Sequence, residues 1–210
     1  MRDFEAELAG ERCWDAELEA VYRTRGEPLA DCILQNRAEL VCLCQVIEAW
    51  GLRSYLEIGV WTGRLVSALD RLFGFERVAA CDDGHAQRRL GLPLGLPEAT
   101  RFLRGCSRSA DFIRFRAELG LVDLVLIDGD HSWRGVRADF ESQRTQPHRV
   151  LVFHDIQGGD PRTRGVARFW RELREGHKLE IVRPHPELGL ASSRMGLGLW
   201  SAAPLPPPPW

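Results

Sequence analysis

Residues 54–63 read SYLEIGVWTG, a short apolar run, Ser54–Ile58, that passes without a break into Gly59-Val60-Trp61-Thr62-Gly63. An apolar run closed by a glycine-rich turn is the pattern of a strand buried on both faces where it hands over to a helix. The helix follows at once, with Leu65, Val66, Leu69, Leu72 and Phe73 at helical spacing. Four more runs repeat the rhythm downstream: Arg77–Cys81, Thr100–Leu103, Leu121–Ile127 and Arg149–Phe153. Trp133, Val136 and Phe140 form an apolar stripe after the fourth, and Val166, Phe169, Trp170 and Leu173 form one after the fifth. This alternation predicts an α/β, Rossmann-like fold: an open, mostly parallel sheet with helices on both faces. Leu179–Arg183 and Met195–Trp200 add two strands, expected as an antiparallel C-terminal hairpin at the sheet edge.

Upstream the pattern is helical from Trp14 to Trp50, with Trp14, Leu18, Val21 and Tyr22 on one face, then Ile33, Leu40, Val41, Cys44 and Ile47. Glu27-Pro28 divides it into two helices. Leu90–Pro97 (LGLPLGLP) reads as a loop, and the terminal PLPPPPW favours a solvated polyproline II tail. The expected organisation is an N-terminal helical extension over 1–50, a sheet domain over 51–203 and a Pro-rich tail over 204–210.

Composition narrows the class. At roughly 150 residues per domain, 210 residues make one domain with a small appendage. Hydrophobic residues at 44% and charged ones at 28% describe a globular chain. All but Lys178 of the 28 basic residues are arginine, yet 30 acids leave a net charge of −2, without the basic stripe of a nucleic-acid binder. No apolar run reaches the ~18 residues of a membrane span, and the opening MRDFEAELAGERCWDAELEA has no signal-peptide core. The expected location is cytoplasmic, with neither membrane nor nucleic acid as partner. Six scattered cysteines, Cys13, Cys32, Cys42, Cys44, Cys81 and Cys106, read as reduced thiols.

Ligands of open α/β sheets bind outside the carboxyl ends of the strands. There this sequence places Glu57 before the glycine turn, Asp82-Asp83, Cys106-Ser107, Asp128-Gly129-Asp130-His131 and His154-Asp155. An Asp after a strand is often the N-cap of the next helix; five strands sharing the feature call for more. Gly59 and Gly63 make G-x-x-x-G behind a carboxylate, which disfavours a pyrophosphate and suits a cationic or zwitterionic ligand. Asp82 is placed to accept ribose hydroxyls. A nucleoside with a positively charged, amino-acid-like portion satisfies both.

These segments resemble the class I S-adenosylmethionine-dependent methyltransferases, specifically the family-24 methyltransferase domain akin to macrocin O-methyltransferase and cephalosporin-biosynthesis proteins. The match rests on YLEIGVWTG (Tyr55–Gly63), Asp82, LVLIDGDHSWRGVRADF (Leu124–Phe140), LVFHDI (Leu151–Ile156) and MGLGLW (Met195–Trp200). The resemblance implies that Glu57, Gly59 and Gly63 hold the methionine end of S-adenosyl-L-methionine and Asp82 the ribose. The residues after the third strand, Cys106 and Ser107, would clasp adenine, with Cys106 where the family commonly has Asp. Asp128 would begin the segment beside the sulfonium. Trp61 lies in the cofactor loop and Trp133 just after DGDH; either can pack on adenine or acceptor, or serve the core or a lid.

Methyl transfer is an in-line displacement that needs an aligned, deprotonated acceptor. Related small O-methyltransferases place metal ligands after the fourth and fifth strands, and the matching positions are Asp128, His154 and Asp155. A divalent cation there, magnesium, manganese or another, would lower the acceptor's pKa; the imidazole weakens the case for magnesium. Without a metal, His131 or His154 is the candidate base, with Asp128 beside them. Asp130 is expected to brace the loop, and Asp139 and Glu141 to lie on a solvated helix face. The function expected is O-methylation of a small-molecule hydroxyl in natural-product tailoring, by a chain that can form a homodimer. The rival readings are a non-catalytic scaffold that keeps the fold, and a nicotinamide-dependent oxidoreductase, which the missing second glycine opposes.

Overall fold

The computed structural model describes residues 2–25, 32–185, 188–189 and 194–210. Its strands are β1 (Ser54–Ile58), β2 (Arg77–Asp82), β3 (Arg101–Arg104), β4 (Val122–Ile127), β5 (His148–His154), β6 (His177–Ile181) and β7 (Leu197–Ser201). Its helices are α1 (Phe4–Glu7), α2 (Ala16–Arg25), α3 (Arg37–Ala49), α4 (Arg64–Phe73), α5 (His85–Leu90), α6 (Ala110–Leu119), α7 (Trp133–Arg144) and α8 (Arg164–Glu172).

The strands form one sheet in the order β3-β2-β1-β4-β5-β7-β6, with the first five parallel. Strand β7 inserts antiparallel between β5 and β6 and pairs antiparallel with both. The expected Rossmann-like class and C-terminal hairpin are therefore present. Gly198 permits the insertion, because a Cβ there would lie 2.8 Å from the Trp170 ring of α8.

Residues alternate between the two faces of the sheet. Tyr55, Ala80, Leu124, Leu126 and Val152 face one apolar cluster, shared with α3 and α4. Leu56, Cys81, Val125, Ile127 and Phe153 face the other, against α6, α7 and α8. The first face also takes in Phe4, Leu8 and Cys13, so the N-terminal segment shares a core with the sheet. Glu39 of α3 fastens the far end: its buried carboxylate accepts the backbone N–H of Arg183 and of Gly196.

Several local expectations change. Ile33 lies on no helix; it pairs in an isolated bridge with Cys13, and α3 starts only after Asn36, whose side chain caps the Ala38 N–H. The Glu27-Pro28 break lies outside the described residues. Helices α1, α5 and α6 are additional to those the spacing predicts. The tail faces solvent but is tethered: Trp50 Nε1 donates to the Pro207 carbonyl at 3.2 Å, and the Arg183 guanidinium lies 5.0 Å from the Trp210 ring centroid. Among the described residues no helix is long and apolar enough to cross a membrane, and no disulfide joins any of the six cysteines.

Register aligns the rim. Ile58 stands beside Cys81 on one side and Ile127 on the other, and Ile127 beside Phe153. The residues one step beyond, Gly59, Asp82, Asp128 and His154, consequently line up along one edge.

Candidate active site

A cavity of about 1060 Å³ lies against that rim. Gly59, Trp61, Asp82, Cys106, Ser107, Asp128, His131, His154 and Asp155 line its sheet side. Trp14, just before α2, and Tyr22 of α2, with Leu34, Leu188 and Met195, wall its outer end. Arg162 stacks over Tyr22 at 5.0 Å and donates to the phenol oxygen at 2.8 Å, tying the segment before α8 to α2.

The glycine turn is built by close approach. Gly59 has φ of +86°, and a Cβ there would fall 2.6 Å from the Asp128 carbonyl carbon, so only glycine lets β1 and β4 end side by side. Gly63 serves the opposite side, where a Cβ would meet the Gly95 carbonyl oxygen at 2.5 Å. Trp61 takes φ of +51°, a conformation costly for an aromatic residue, and its Nε1 is buried without a hydrogen-bond partner among the described residues.

Glu57 does not line the large cavity. It faces a second one of about 30 Å³ across the glycine turn, together with Gly59, Trp61, Thr62 and Asp128. It is 2% exposed, accepts a short hydrogen bond from the Tyr55 hydroxyl, and burial pushes its carboxyl up to about 8. Asp82 pins the turn: one oxygen accepts the Val60 N–H at 2.9 Å and the other the Gly84 N–H at 2.6 Å. A carboxylate has about four acceptor sites, so both oxygens keep capacity for a ligand.

Four side chains converge where β4 and β5 end. Asp128 Oδ1 accepts from His131 Nε2 at 2.8 Å and from His154 Nδ1 at 3.1 Å. Burial works against the charge of Asp128, but the two imidazoles overcome it and hold the carboxyl below its ordinary range. His154 is 4% exposed; burial opposes its protonation, yet Asp128 and Asp155 raise it to about 10. The two carboxylates thus favour its cationic form. The His131 side chain is 30% exposed, with Nδ1 3.9 Å from Asp155 Oδ2. Asp155, at φ of +62°, is raised by burial against the pull of both histidines. Asp128, His131 and Asp155 each offer a ligand atom within 4.8 Å of the others. The resemblance implies His154 as the histidine of such a group; the geometry instead groups His131 with the two carboxylates, while His154 bonds to Asp128 through Nδ1.

At the other end, Arg108 Nη1 meets Asp130 Oδ2 at 2.8 Å, and Asp130 Oδ1 accepts the Ser132 N–H, bracing the loops after β3 and β4. Asp139 is not on a solvated face. It is 1% exposed, raised to about 6 by burial, and accepts the Ser107 hydroxyl at 2.6 Å. Glu141 is exposed and pairs with Arg144. Trp133 lies between the Arg137 and Arg168 guanidinia and donates to Glu172, outside the cavity lining.

Residues 56–156 match a family profile described as a methyltransferase domain. Over these residues the chain carries a methyltransferase domain. Solved structures agree on its fold. An O-methyltransferase from Bacillus cereus in complex with SAH superposes with a TM-score of 0.53 at 16% identity, over 96% of this chain and 92% of that one. TomG, an O-methyltransferase from Streptomyces achromogenes involved in tomaymycin synthesis, in complex with SAM, gives 0.53 at 16% identity, over 96% and 100%. No curated protein matches the methyltransferase by sequence.

Proposed function

We propose that this methyltransferase binds S-adenosyl-L-methionine along the rim of β1, β2 and β3 and methylates the hydroxyl of a small molecule held between His131 and α2. The observation that carries the reading is the position of the Asp128 group in one cavity with Asp82, Trp61 and Ser107. Those residues suit the cofactor. Ser107 and Asp82 supply polar contacts for base and ribose, and Glu57 is a buried carboxyl beside the glycine turn, protonated at neutral pH without ligand, which the ammonium of the methionine end would draw into its charged form. Trp61, held in a strained conformation with an unpartnered Nε1, is the aromatic wall between the two cavities.

Asp128, His131 and Asp155 form a mixed oxygen and nitrogen set that fits a divalent cation of the manganese, iron or zinc kind better than magnesium. A cation there would lower the acceptor hydroxyl's pKa and orient it. The protein's own part is to hold the two carboxylates apart from solvent, with the His154 cation fixing Asp128 from behind. A second reading is favoured by the 2.8 Å hydrogen bond between His131 and Asp128: a metal-free site in which neutral His131 takes the acceptor proton and Asp128 stabilises the imidazolium that results. His154, 4% exposed and held through Nδ1 by Asp128, is less open to an acceptor than His131. Trp14, Tyr22, Leu34, Leu188 and Met195 favour an apolar or aromatic acceptor.

The test is transfer of label from S-adenosylmethionine to a panel of small hydroxyl compounds, before and after chelation and after adding back manganese. Loss on chelation with recovery supports the cation; activity indifferent to chelation supports the His131 base. No transfer to any hydroxyl, with bound cofactor, would favour the non-catalytic scaffold.

A further inference from the structure

The loop after β3 departs from its family at Cys106, where an acid would ordinarily accept the amino group of adenine. A thiol is a weak acceptor, and Cys106 Sγ is already engaged by the Arg108 N–H at 3.4 Å. The neighbouring Ser107 lines the cavity with Asp82 and Gly105. Its hydroxyl donates to Asp139 Oδ1 at 2.6 Å.

Asp139 reaches this point from α7, 32 residues further along the chain. It is almost fully buried, and its second oxygen, Oδ2, has no hydrogen-bond partner among the described residues. That oxygen lies beneath Gly129 at the start of the β4 loop, where a Cβ would come within 3.8 Å of it. A buried carboxylate with a spare oxygen, joined to a cavity-lining hydroxyl, is an expensive arrangement that nothing in the packing of α7 requires.

A hydroxyl has one proton and two acceptor lone pairs. With the proton committed to a carboxylate, Ser107 presents only lone pairs to the cavity. It can therefore receive an N–H and cannot donate to a carbonyl. We propose that Asp139, acting through Ser107, is the positioning residue that makes this site select a 6-amino purine over a 6-oxo purine, replacing from α7 the acid missing at Cys106. The inference rests on the S-adenosylmethionine reading of the cavity and specifies how its base is recognised.

Calorimetric titration of the full chain with S-adenosylhomocysteine and with S-inosylhomocysteine tests it. The unmodified protein is expected to prefer the adenosyl compound by about tenfold or more, the usual consequence of denying a buried acceptor its donor. Ser107→Ala should bring the two affinities within about twofold, chiefly by weakening the adenosyl compound, and Asp139→Asn should narrow the ratio in the same direction. A merely structural role for Asp139 would weaken both ligands alike and leave the ratio where it was. That result, or an unmodified protein that does not discriminate, overturns the proposal while leaving the cofactor reading intact. Failure to bind either compound at millimolar concentration would overturn the cofactor reading and this inference with it.

Discussion

Asp128 and His154 form a partly buried ion pair, Nδ1 to Oδ1 at 3.1 Å, and the same carboxylate oxygen holds the more exposed His131 at 2.8 Å. One oxygen at the end of β4 thus organises both histidines. In either form of the mechanism it is the residue whose loss does most damage.

Asp128→Asn should lower methyl transfer by about a hundredfold or more, since it removes charge from the group that must hold a cation or stabilise an imidazolium. S-adenosylhomocysteine affinity should change far less. Nuclear magnetic resonance should also show His154 titrating at lower pH, because the first of its charge partners is gone.

Glu57 predicts a pH dependence of stability. Its folded carboxyl sits at about 8, above the 4.5 of an unperturbed glutamate. Between those values the native state holds a proton that the unfolded chain has released, so stability falls as pH rises through that window and levels off above it. Glu57→Gln should remove that part of the slope. Relative to the unmodified protein it should gain on the order of a few kcal/mol on going from pH 5 to pH 8.5. Denaturant unfolding of the ligand-free protein at the two pH values measures this. Equal slopes for the two proteins would refute the account of Glu57.

Two glycines with positive φ should respond differently to alanine. Gly51→Ala, at φ of +58° with nothing within 4 Å of the new Cβ, should cost about 1–2 kcal/mol. Gly59→Ala adds a clash with the Asp128 backbone to the same conformational cost, and should destabilise by more than about 3 kcal/mol while abolishing cofactor binding. Thermal unfolding and ligand titration of both variants check the contrast.

The rim of the site is legible in the sequence because parallel strands end in register, so an acid at each strand end becomes a cluster in space. Asp82, Ser107, Asp128, His131, His154 and Asp155 are all found there. The spacing of Ile33 with Leu40 imitates a helix although the two residues belong to different elements; Asn36 with Glu39 three residues later carried the capping signal that marks the true start. Helix α6 is hidden because Arg116 occupies a core position. Its buried guanidinium is satisfied by Gln143 and by the carbonyls of Gly120 and Pro147, contacts that exist only after folding. The burial of Asp139 has the same origin, since its partner Ser107 comes from another loop. Glu57 bears on the rim from beneath the glycine turn, a depth that strand periodicity does not reveal.

Calorimetric titration of the unmodified protein with S-adenosylhomocysteine reads out whether the rim of this sheet is an S-adenosylmethionine site. The expected result is one-to-one binding with a dissociation constant in the micromolar range that weakens at least tenfold in Asp82→Ala. No detectable heat at millimolar ligand, from protein shown to be folded, would contradict it.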